Sequence, residues 1–154
     1  TFFLAQIYYD KKDPVAMMPV VDRLLEMDPS NPDNFLLKAY VYQLMAATEK
    51  DAKKKATLNA QVADWGAKEG AMPHKLAVTQ FARLQEGAIL SGTIENRGKA
   101  EKSYTLDVEF LDVAGTVLEN GSVKVGPIKA GATDKFEVRA TKKGVAAYRY
   151  KAIQ

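Results

Sequence analysis

A chain of 154 residues with 47% apolar side chains has room for one ordinary domain or two small ones, each with a core of its own, and does not have the composition of a disordered polymer. Its 22 basic residues face 19 acidic ones, so the net charge of +3 creates no field that calls for nucleic acid or an anionic membrane. With no cysteine and one histidine, His74, the sequence excludes a disulfide framework, a thiolate metal centre and a histidine cluster; we expect no metal and no cofactor.

No apolar run is long enough to span a bilayer, and no charged start followed by a small-residue cleavage site marks a signal peptide. The chain opens on Thr1 inside a helical pattern, which we read as a mature or truncated piece with further sequence upstream. Phe2, Phe3, Leu4, Ile7 and Tyr8 return at helical spacing and predict a first helix ending near Asp10. Asp13-Pro14 is an N-cap followed by proline at the first helical position, so a second helix is expected from about Pro14 to Met27, kinked rather than ended by Pro19. Asp28-Pro29 closes it. Asn31-Pro32 repeats the start signal for a third helix, from Phe35 to about Ala47. A fourth, from about Asp51 to Ala67, carries two apolar stripes. We expect Ala52, Ala56, Ala60 and Ala63 to pack on the third helix, and Leu58, Val62 and Trp65 to dock against the second domain.

Residues of the first and third helices recur with a spacing of about 34, Ala5 with Ala39 and Tyr8 with Tyr42. With Leu4, Met17, Val21, Pro29 and Phe35 in the remaining slots, residues 1–70 resemble the tetratricopeptide repeat family. The resemblance implies paired helices whose inner face binds an extended peptide, here Phe2, Gln6, Tyr9, Leu36, Tyr40 and Gln43. The carboxylate clamp of that family is missing, because Phe2 and Gln6 hold its first slots. The second repeat breaks its period, since Met17 and Val21 project onto Asp51 and Lys55.

From Pro73 the period becomes two: Tyr104, Leu106, Val108 and Phe110 alternate with Thr105, Asp107 and Glu109 as in a half-buried strand. Similar stretches are Leu76 to Leu84, Gly87 to Glu95, Thr116 to Glu119, Ser122 to Val125, Asp134 to Ala140 and Ala146 to Ile153. Asn120-Gly121 is the strongest hairpin turn among the connections. About seven strands so spaced predict an antiparallel sandwich over residues 73–154. Leu90 to Asn96, Tyr104 to Asp112 with Gly115-Thr116-Val117, and Ile128-Lys129-Ala130-Gly131 before Phe136 resemble the immunoglobulin-like modules of bacterial envelope proteins named for a Phe-x-Leu-Tyr-Asp motif.

The chemistry-bearing residues read blandly. Lys50, Lys53, Lys54 and Lys55 stand beside Glu49 and Asp51, a solvated helix start rather than a phosphate grip. His74 has no second metal ligand in view, and Asp107 with Glu109, spaced as a glycosidase pair might be, reads as a solubilising strand face. Gly92, Gly98 and Gly115 precede no helix and form no phosphate cradle.

The sequence therefore predicts an α+β chain of two segregated domains: about four helices in tetratricopeptide-like hairpins, then an immunoglobulin-like sandwich. The expected function is that of a non-enzymatic interaction protein holding a protein or peptide partner. From the resemblance alone, we expect it in the periplasm or elsewhere outside the bacterial cytoplasm. In the competing reading the sandwich binds an envelope polysaccharide or protein and the helices are a spacer. A hydrolase using Asp107, Glu109 or His74 is the alternative from another class.

Overall fold

The computed structural model describes residues 10–154, so the expected first helix lies almost wholly outside the described residues. The chain divides into two compact units, Thr1–Met72 and Pro73–Gln154. Among the described residues the first unit holds α1 (Pro14–Met27), α2 (Asp33–Thr48) and α3 (Ala52–Ala71). The second holds β1 (His74–Arg83), β2 (Ala88–Asn96), β3 (Lys102–Leu111), β4 (Val117–Ile128), β5 (Thr133–Ala140) and β6 (Ala147–Tyr150).

Local chemistry sets the helix starts. The Asp13 carboxylate accepts the amide of Ala16 at 3.0 Å, and Pro14 occupies a position whose N–H has no helical partner to lose. The helix runs through Pro19 to Met27. The next turn is tied by side chains: Asn31 donates to the Asp28 carboxylate and Asn34 to the Asp28 carbonyl, each at 3.0 Å, while Ser30 and Pro32 are buried. Met17, Val21 and Val41 then form a small core, with Met18, Leu25, Leu37, Tyr40, Leu44 and Met45 closing round it. Asp51 caps α3 through the amide of Lys54 at 2.9 Å, and Lys53, Lys54 and Lys55 are exposed on its first turn.

The packing face of α3 is not the alanine stripe. Ala52, Ala56, Ala60 and Ala63 are exposed, whereas Leu58, Val62 and Trp65 are half-buried and the Trp65 ring lies 5.8 Å from Phe35 of α2. The physical reason is area: an aromatic ring removes several times more apolar surface from water than a methyl group, so the face that carries it turns inward.

The second unit consists of two small antiparallel sheets of three strands, ordered β1-β2-β5 and β4-β3-β6. One apolar core is shared by both, drawing Leu76, Leu90 and Ile94 from the first two strands, Tyr104, Leu106, Val108 and Phe110 from β3, Val125 from β4 and Phe136 and Val138 from β5. The β5–β6 loop is tied to β4 by the Glu119 carboxylate, which accepts the amides of Thr141 at 2.8 Å and Lys142 at 3.0 Å; those two bonds hold its pKa below the ordinary glutamate value.

Two expectations of architecture are thus corrected. Helices followed by strands make an α+β chain, but the described residues give three helices rather than about four. There are six strands in two sheets of three, not the seven-stranded immunoglobulin-like arrangement. The missing strand has a local cause. The expected strands Thr116 to Glu119 and Ser122 to Val125 merge into one, β4, which begins at Val117 and in which Asn120 pairs with Glu109 and Gly121 with Val108.

Gly121 is there for space, not for a turn: a Cβ on it would stand 2.4 Å from Val138 Cγ1 and 3.2 Å from the Phe110 ring. Gly121→Ala is therefore expected to cost about 1 to 3 kcal/mol by overpacking, while Asn120→Lys on the exposed face costs less than about 0.5 kcal/mol. Urea melts of both variants check this, since a hairpin turn with positive φ at both positions would be hurt at both.

Candidate functional site

The alternation that buries Tyr104, Leu106, Val108 and Phe110 sends Asp107 and Glu109 to the outer face of β3, the central strand of its sheet. Pairing then sets their neighbours. Ser122 of β4 stands opposite Asp107, and Glu109 has Asn120 of β4 on one side and Arg149 of β6 on the other. The Ser122 hydroxyl donates to Asp107 at 2.6 Å, and Arg149 Nε donates to Glu109 in an ion pair. These residues, with Val108, Gly121, Tyr150 and Lys151, line a groove of about 650 Å³. That volume lies within the range of roughly 300–1,000 Å³ typical of small-molecule sites.

Read as a sequence, Asp107 and Glu109 are a pair on one strand face, and the structure brings them together with Ser122, Asn120, Arg149 and Lys151. The last four are missed by local pattern. Treating Asn120-Gly121 as a turn takes β4 out of register with β3 and hides Ser122 opposite Asp107. Alternating polarity in Tyr148-Arg149-Tyr150-Lys151 was the available signal for an outward Arg149.

His74 does not join them. It opens β1 opposite Asn96, is buried, and sits edge-on to the inward-facing Tyr104 ring at 5.6 Å, away from the outer face of β3. Its Nδ1 is buried with no hydrogen-bond partner. Burial, with the nearby Lys102 charge adding to it, lowers its pKa, and burial also raises that of the Tyr104 phenol.

A histidine whose folded pKa is depressed stabilises fully above its unfolded value of about 6.5 and loses that contribution as the pH falls from there toward the folded pKa. We expect the lone imidazole to titrate by NMR below about 6.5, and the urea midpoint to fall on acidification through that window. A titration at or above the ordinary value would show His74 to be solvated.

In the helical unit, Leu36 and Gln43 are exposed on α2, while Tyr40 packs against the core of Met17, Val21 and Val41. Phe2, Gln6 and Tyr9 lie outside the described residues. Trp65 meets Phe35, Lys38 and Lys68, the last with its ammonium 4.2 Å from the ring centroid. Leu58 lies beside Met45 and Thr48 at the end of α2. The Lys38 side chain is buried, pairs with Asp22 and donates to Met18 Sδ at 2.8 Å. Among the described residues no three His, Asp or Glu side chains gather as metal ligands, and no helix is long and apolar enough to cross a membrane.

No family model matches the chain, and no curated protein does. Among solved structures, a DUF1425 family member from Shewanella sp. pv-4 overlaps 53% of this chain and 76% of its own, at 9% identity and a TM-score of 0.43. The uncharacterized lipoprotein yajI from Escherichia coli overlaps 51% of this chain and 54% of its own, at 13% identity and a TM-score of 0.32. A β-glucosidase from Kluyveromyces marxianus overlaps 53% of this chain but 13% of its own, at 16% identity and a TM-score of 0.40. Likeness of this degree is partial in each case.

The tetratricopeptide and Phe-x-Leu-Tyr-Asp resemblances are corrected by these findings, since neither family is matched and the described elements number three helices and six strands. The repeat rested on Ala39 and Tyr42 recurring from Ala5 and Tyr8. Small and aromatic residues at that spacing suit any two amphipathic helices in a hairpin, and the next repeat already fails at Asp51, which caps α3, and at the exposed Lys55.

Proposed function

We propose that this chain is a non-catalytic binding protein of the bacterial cell envelope, acting outside the cytoplasm, and that the β unit carries its binding surface. The observation behind this reading is the groove over β4, β3 and β6, where acid, amide, hydroxyl and guanidinium groups converge on rigid strands. Strands fix such groups in place more firmly than loops do, which suits recognition. A binding role is favoured over hydrolysis because Ser122 and Arg149 already engage the two carboxylates on an open sheet face. A general acid for hydrolysis works in a site closed to bulk water, and Asp107 is exposed on this face. The helical unit then serves as spacer or scaffold.

The test is retention of the tagged protein on a washed bacterial envelope fraction. Reversing one groove charge, Arg149→Glu, is expected to weaken retention about tenfold or more, whereas Glu137→Arg on exposed β5 leaves it unchanged. Equal retention of all three proteins would remove the groove as the binding surface.

A further inference from the structure

We infer that the groove takes an acidic carbohydrate, a chain of hydroxyl-bearing rings that also carries carboxylates; this rests on the reading of the groove as the binding surface. Arg149 meets Glu109 through Nε alone. Its two terminal nitrogens are left without a partner among the described residues, and together they form the parallel donor pair that fits a carboxylate. Lys151 lines the same groove, is exposed and is likewise unpaired among the described residues, so a second cation adds to the first.

On β4 and β3 the chemistry changes. Asp107 uses one oxygen for the Ser122 hydroxyl and keeps the other open, and the Asn120 amide has no partner among the described residues. The carboxylate oxygen accepts from neighbouring hydroxyls, and the amide nitrogen beside it donates to them. Across three strands, roughly 10 Å from β4 to β6, the sequence of groups is amide and hydroxyl, then carboxylate, then cation. A sugar ring with a carboxylate substituent matches that order.

The competing ligands match it less well. Protein partners anchor on aromatic and apolar side chains, and the large apolar residues exposed among those described, such as Leu36, Leu84 and Val113, are not in the lining. Phosphate chains carry no hydroxyls from which the open Asp107 oxygen could accept, and single-stranded nucleic acid needs exposed rings for stacking. The only ring among the described residues that line the groove, Tyr150, is buried. That also disfavours neutral sugars held by stacking, leaving charge and hydroxyl recognition together.

The experiment titrates the isotope-labelled full chain with oligogalacturonate, hyaluronan oligosaccharide, neutral maltooligosaccharide and oligoglutamate, followed by amide NMR. At least one of the two acidic sugars should shift Asp107, Asn120, Ser122, Arg149 and Lys151, binding about tenfold or more tighter than either control. Arg149→Lys, which keeps the charge and loses the fork, should weaken that binding severalfold, and Arg149→Gln should weaken it further. Silence toward both acidic sugars, equal binding of oligoglutamate, or shifts elsewhere would overturn the inference. If that happens while Arg149→Glu still weakens envelope retention, the groove stands as the binding surface and only the ligand class is wrong; if both fail, both readings fall.

Discussion

Replacing Asn96 with alanine is expected to lower the stability of the β unit by about 3 to 5 kcal/mol, the sum of four hydrogen bonds, two buried and two partly buried, at about 1 kcal/mol each and the cost of partners left dry. Asn96 is 1% exposed and closes the end of β2. Its amide nitrogen donates to the carbonyls of Ala100 and Ile128, each at 2.8 Å, while its oxygen accepts the Tyr104 hydroxyl and the Gly98 amide, each at 2.9 Å. Two donors and two acceptor positions are the whole capacity of that side chain, and all are used. It joins the β2–β3 loop to the end of β4, while its backbone amide and carbonyl bond Ala132 and Gly131. Asn96→Asp keeps the shape but cannot donate to two carbonyls when ionised, so it should cost at least as much near neutral pH. Urea unfolding followed by far-UV circular dichroism measures both; a loss under about 1 kcal/mol would mean that the loops are held by their backbone bonds alone.

Asn96-Arg97-Gly98 has the composition of a turn, and it does bend the chain, but the Asn96 amide reaches a carbonyl 32 residues away. Local pattern carries φ and ψ preferences and face alternation; it does not carry which distant backbone group needs a donor. The same division runs through the molecule. Asp13 was legible as a cap because a cap is a contact within one helical turn. The inward set of β3 was legible because burial on one face imposes period two. Gly121 misled because glycine serves both a positive-φ turn and a close approach, and only the Val138 side chain across the core decides between them. For the groove, Asp107 and Glu109 were visible as a pair, whereas Arg149, 40 residues from Glu109, becomes their neighbour only through the order β4-β3-β6.

Phe110→Ala should be the largest single loss from the apolar core, about 3 to 5 kcal/mol through lost transfer energy and the cavity left behind. The ring is fully buried on the central strand of its sheet, where residue 110 pairs with Glu119 on one side and Tyr148 on the other. Both flanking strands limit collapse. β6 is held further by the Tyr148 ring, packed at 4.9 Å from Phe81 of the opposite sheet, and on the β4 side Gly121, which has no side chain to fill the space, lies beside the ring. A site that cannot close keeps its void, which places the cost toward the upper part of that range. Val113→Ala is the matched control, since Val113 is 92% exposed in the β3–β4 turn and should change stability by less than about 0.5 kcal/mol. The measurement is the urea midpoint of each variant at unchanged slope, so that the shift reports stability rather than a looser denatured chain. A shift for Phe110→Ala no larger than that of Val113→Ala would place the ring outside the shared core, and with it the inward alternation of β3 that turns Asp107 and Glu109 toward the groove.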